Sequence, residues 1–201
     1  MSDKPYPPDV HPESGCRLPP VDREALDDVG KEIYDAHVVP GQSSIAGLWG
    51  PGGIKLHSPG ISRVTRDETH YFRHEAEFTP ADREIAILIT ARECESQFEW
   101  TAHEPVALEA GVSQETIDVI KHRKPLDGVG EREAAIIQLG REIFIDRRVS
   151  AETYARALGQ FGAGTLVDLV SLMGNYAGTA VLLCAFDMQV RPGKKPLLPT
   201  G

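Results

Sequence analysis

No part of this chain alternates apolar and polar residues at the two-residue period of a strand. Its apolar residues recur at three- and four-residue spacing instead, so the sequence predicts an all-α fold. With 201 residues it is long enough to bury one core of useful size. That core is expected as a single helical domain over 21–190, with a proline-rich arm at 1–20 and a tail at 191–201. The arm holds six of the fifteen prolines and ends in Pro19-Pro20, which predicts an extended segment.

Start and stop signals divide the domain. Asp22 is an N-cap for a helix over Arg23 to His37, with Leu26, Val29, Ile33 and Tyr34 at helical spacing and Pro40-Gly41 as its terminator. The loop GQSSIAGLWGPGGIKLHSPG carries six glycines and two large apolar anchors, Leu48 and Trp49. It lacks the spacing of a phosphate loop, so it must be held by burial or by a ligand. A helix over Ile61 to Phe78 should turn Val64, Thr69, Phe72 and Ala76 inward, and Thr79-Pro80 supplies N-cap and N1 for the next, over Ala81 to Glu95. Three more helices follow, over Arg132 to Asp146, Ser150 to Phe161 and Gly164 to Met188. The last is nearly all apolar from Leu166 to Phe186, which predicts an interior helix; Asp168 and Asn175 argue against a membrane span.

A formal charge of -9 disfavours nucleic acid, whose binding rests on clustered Lys and Arg, and favours a small-molecule partner. The start shows no basic region followed by an apolar stretch, so a cytoplasmic protein with no membrane partner is expected. Cys16, Cys94 and Cys184 are odd in number and far apart, which gives neither a disulfide framework nor a dithiol centre.

The chemistry concentrates in EIAILITARECESQFEWTAHEPVALEAG, from Glu84 to Gly111. Glu99 and His103 are four apart and share a helix face, and Glu84 lies on the preceding apolar helix, where a carboxylate needs a partner. His103 is the expected proton shuttle, with Glu84 and Glu99 to orient it. Each has a bland counterpart: a satisfied core histidine, a surface ion pair between Arg83 and Glu84, and a capping box spelled by Ser96-x-x-Glu99. Arg83 and Arg92 are possible anchors for a substrate carboxylate. Trp49, His57, Trp100 and Tyr176 are the expected substrate-binding side chains, with Trp100 as core or pocket wall.

The pieces LHSPG, TPADREIAILITARE, FEW and HEPVALEAGVS, followed later by GNYAGTAVLLCAFD, resemble in order the carboxymuconolactone decarboxylase family, also called the alkyl hydroperoxidase D-like fold. The hydroperoxidase branch carries a Glu on one helix and Cys-x-x-Cys-x-x-x-His on the next. Here the two cysteine positions are Ser96 and Glu99, while Glu84 and His103 fall on the relay's Glu and His. A disulfide-forming peroxidase needs its thiolate, so the resemblance is to the decarboxylase-type members. It implies an all-helical homotrimer or homohexamer and a lyase or isomerase that works without a cofactor on a small carboxylated lactone or related enolisable acid. Two other readings stay open: a metal-dependent enzyme with Glu84, Glu99 and His103 as ligands, and a non-catalytic helical oligomer.

Overall fold

The computed structural model describes residues 6–39 and 46–199. Among them the structure is all-helical, and the only β-type pairing is one isolated bridge between His11 and Cys16. The residues gather into two compact units: 1–75 with 181–194, and 76–180 with 195–201.

In the first unit the expected helix over Arg23 to His37 is split. A 3-10 turn, Arg23–Ala25, begins at Asp22, and α1, Asp28–Val38, begins at Asp27, whose side chain accepts from the Gly30 amide at 2.7 Å. Leu26 between them is extended, because a second acidic cap restarts the helix instead of continuing the first. The proposed Pro40-Gly41 terminator lies outside the described residues. The glycine-rich loop contains a short helix, α2, Pro51–Lys55, and α3 runs over Pro59–His74, starting earlier and ending sooner than expected. Phe72 is buried, but Val64 is exposed. The inward face of α3 runs through Ser62, Thr65, Thr69 and Phe72, and the two threonine hydroxyls donate back to the carbonyls of Ile61 and Thr65. The proline-rich segment is not a bare extended arm: its described part turns at His11 to Cys16, buries Val10 and Cys16, and donates from the Arg17 amide to the Phe186 carbonyl at 2.8 Å.

The second unit is built around α4, Pro80–Glu93, on which α5, Gln97–Glu109, α6, Gln114–Lys121, and α7, Glu131–Arg141, all pack. From Glu84 to Arg92 every residue of α4 is buried, the pattern of a helix surrounded on all sides. The approach of α7 is close enough that a Cβ on Gly140 would lie 2.7 Å from the buried Ile89 side chain. The α6 helix has no counterpart in the sequence reading, although Ser113 caps it through the Thr116 amide and Ile117 and Ile120 are fully buried.

Beyond α7 the chain makes a π-helical turn over Glu142–Asp146 and then α8, Ala151–Ala185, whose backbone breaks at Gly162 with φ 71°. That break falls in the gap expected between the two last helices. The expectation of a wholly interior last helix is corrected: Leu166, Leu169, Leu172 and Met173 are buried, while Val167 is 64% exposed and Gly174 and Gly178 face open space. Packing covers one side, and the apolar sequence continues round to the other. By length and hydropathy α8 could cross a membrane, with 39% of its most apolar window buried.

Glu142 ties the turn to the start of α8. Its carboxylate accepts from the Ser150 amide at 2.6 Å, the Thr153 hydroxyl at 2.6 Å and the Gln138 amide at 3.0 Å, while Ser150 caps the Thr153 amide. Burial pushes its pKa up, but these donors outweigh burial and bring it down to about 2. Its folded pKa is therefore below its unfolded value, so the stability it adds is present above about pH 4.5 and is lost as pH falls towards about 2. Glu142→Gln should cost about 1–3 kcal/mol in urea unfolding at neutral pH and flatten the acid limb of the stability profile; an unchanged profile would remove Glu142 from this account.

Candidate functional site

The site begins with how α4 is started. Thr79 and Asp82 form a reciprocal capping box, the Asp82 amide donating to the Thr79 hydroxyl at 3.1 Å and the Thr79 amide to the Asp82 carboxylate at 3.0 Å, with Pro80 at the first helical position. The Arg132 guanidinium donates to both Asp82 carboxylate oxygens at 3.0 Å, which fixes the helix entry against α7. Glu84 follows two residues later on a buried face and is 2% exposed.

The partner this carboxylate needs is on α5. His103, 6% exposed, places Nδ1 2.7 Å from Glu84 Oε2, and Arg83 donates from Nε to Glu84 Oε1 at 3.2 Å. Burial pushes the Glu84 pKa up, but the hydrogen bond and charge of His103, together with Arg83, outweigh it and hold the carboxyl below its usual range. An ionised carboxylate is an acceptor only, so Nδ1 carries the hydrogen and donates it. Nε2 is the ring position that Glu84 does not engage. Tyr176 of α8 stands edge-on to the imidazole, ring centroids 5.2 Å apart at 84°.

Glu99 lies one turn before His103 and is 3% exposed. Ser96 is the N-cap of α5, after Glu95 breaks α4 at φ 53°, but its hydroxyl makes no capping bond, so the box spelled by Ser96-x-x-Glu99 does not form. Glu99 instead sits near Cys94, whose thiol is pushed up by burial and by the charges of Glu99 and Glu93, the opposite of what a reactive thiolate needs. Pro105 is accommodated inside α5 two residues past His103.

The other expected residues are distributed as follows. Trp100 is 0% exposed, so no void large enough for water borders it; its indole N–H donates to Glu104, which also takes Lys121 at 3.0 Å. It is a core side chain and offers no surface to a ligand. Arg92 is committed to the Lys121 carbonyl at 2.7 Å and to Glu95 at 2.7 Å. Trp49 and His57 belong to the first unit and line a cavity there. His70 and His74 lie with their rings tilted against each other on the exposed side of α3. Among the described residues no group of three His, Cys, Asp or Glu side chains is placed to hold a metal ion. Neither the protein-family models nor the curated proteins contain a match to this chain.

The sequence offered Arg83 both as the partner of Glu84 in a surface ion pair and as an anchor for a substrate carboxylate; the ion pair forms, but its Glu84 end is buried.

Glu84→Ala should destabilise the protein by about 2–3 kcal/mol in urea unfolding, because it strands a buried imidazole N–H. Glu84 contributes above its unfolded pKa, and that contribution fades as pH falls below the ordinary carboxylate range, so the loss relative to wild type should shrink under acid. A constant difference at every pH would contradict an ionised Glu84.

Proposed function

We propose that this chain is an acid–base lyase or isomerase of the carboxymuconolactone decarboxylase type, acting on a small carboxylated lactone or related enolisable acid. The observation that carries the reading is the buried 2.7 Å contact between His103 Nδ1 and Glu84. It is the arrangement a proton-transferring imidazole requires: one nitrogen fixed by a carboxylate that stabilises the charged ring, the other left for the substrate.

In a decarboxylation, the bond between the ring carbon and the substrate carboxylate breaks, CO2 leaves, and the electron pair remains as a dienolate. His103, protonated at Nε2, delivers that proton to carbon and returns to the neutral form, to be recharged from solvent. In an isomerisation the neutral Nε2 first takes a proton from the carbon beside a carbonyl and then returns it at a second position. Glu84 keeps the ring in one tautomer and orientation throughout, Arg83 helps to keep Glu84 ionised, and Glu99 contributes negative charge one turn away. Thiol peroxidase chemistry falls outside this reading, since Ser96 and Glu99 occupy the places of its cysteines.

The same resemblance makes a homotrimer or homohexamer part of the proposal. The uncovered apolar side of α8 in the second unit, Val167, Val170, Gly174 and Gly178, is the kind of surface that self-association would bury. Light scattering should return a multiple of the 22.0 kDa chain mass, reduced by Val170→Glu; a monomer in the wild type would remove assembly from the proposal.

Activity is tested with unsaturated lactone carboxylates and β-keto acids in D2O, following CO2 release and deuterium incorporation. His103→Ala should lower kcat by ~10²–10⁴-fold while the fold is retained. Equal turnover by the wild type and the variant across the panel would overturn the assignment.

A further inference from the structure

The first unit has a cavity of about 280 Å³. Leu18, Pro19 and Pro20 of the N-terminal segment and Leu48, Trp49 and Ile54 of the glycine-rich segment form part of its wall. Pro19, Pro20, Glu13 and His57 on its lining are exposed, so the cavity opens to solvent and a ligand can enter.

The wall is fixed by specific contacts. Trp49 lies against Gly15 so closely that a Cβ there would be 2.2 Å from the indole, and Gly15 holds φ 71°, a conformation glycine adopts without strain. The indole N–H donates to the Gln189 carbonyl at 3.1 Å, and the Gln189 amide donates to the Gly15 carbonyl at 2.8 Å. His57 is tied to the Pro19 carbonyl at 3.0 Å. Because a carbonyl only accepts, His57 donates from Nε2.

Charge and shape narrow the occupant. Among the described lining residues there is no lysine or arginine, and Glu13 is the one acidic side chain, so a carboxylate or phosphate would meet a like charge and no ammonium or guanidinium partner. The indole face and the proline rings suit a flat ring. A cavity of ~150 Å³ takes a benzene, so roughly twice that volume suits two fused rings, or one ring with a short substituent. Tyr34 and His57 also border the cavity and can exchange a hydrogen bond with a hydroxyl.

We infer that this cavity binds a neutral, hydroxylated aromatic molecule of one or two rings. The inference does not depend on the acid–base reading of His103, since other residues form this cavity.

Isothermal titration calorimetry on the full chain compares 2-naphthol with its anionic analogue 2-naphthoate. One saturable site for 2-naphthol is expected, with 2-naphthoate more than about tenfold weaker because its charge would meet a like charge and no ammonium or guanidinium partner. Leu18→Trp, at a half-buried position on the wall, should abolish binding of 2-naphthol with the melting transition retained. If that variant fails to fold, the comparison of the two probes on wild type decides alone. No saturable binding, equal binding of both probes, or undiminished binding by a folded Leu18→Trp would each overturn the inference.

Discussion

A carboxylate taken out of water in the middle of an apolar helix has to be matched, and the second unit is arranged so that Glu84 is. The α4 helix is buried on every side from Glu84 to Arg92, which leaves solvent no access to that carboxylate. Its charge is balanced from two directions, by the imidazole of His103 across the helix pair and by Arg83 beside it. Left unpaired, such a charge would cost several kcal/mol or be neutralised by protonation. The pairing fixes one imidazole nitrogen and, by the same bond, satisfies the buried carboxylate.

The path from sequence to that contact was short where local rules suffice. Thr79-Pro80 started α4 where expected, the break at Glu95-Ser96 separated α4 from α5, and a break near Gly162 divided the last apolar stretch. The all-α class followed from periodicity, and a buried carboxylate at Glu84 called for a partner; the sequence pointed to Glu99, one turn away, as the group that holds the His103 tautomer, whereas Glu84 makes that contact. What the chain did not reveal depended on which side of an element meets another. Val64 lies one position off the inward face of α3, and a helix as apolar as α8 gives no sequence signal of which side stays uncovered. The restart of α1 at Asp27 turned on competition between two acidic caps five residues apart, a difference too small for spacing to decide.

Other polar groups in the second unit follow the same logic with structural outcomes. Glu142 closes the π-helical turn onto α8, Asp82 joins α4 to α7 through Arg132, and Glu104 collects Trp100 and Lys121. Each of these carboxylates accepts from donors that hold helices together, whereas Glu84 spends one oxygen on a titratable ring, the feature on which the proposed acid–base role rests. In the first unit the glycines serve close approach: Gly15 under Trp49 and Gly53 against the Leu48 carbonyl admit backbone where a side chain would not fit.

The most direct measurement of the central contact is ¹⁵N–¹H NMR of the His103 side chain in protein carrying labelled histidine, assigned against His103→Ala. The account predicts a proton on Nδ1, far downfield and slow to exchange because Glu84 accepts it in a buried setting. A neutral ring protonated at Nε2, or a rapidly exchanging mixture of tautomers, would mean that Glu84 does not hold His103.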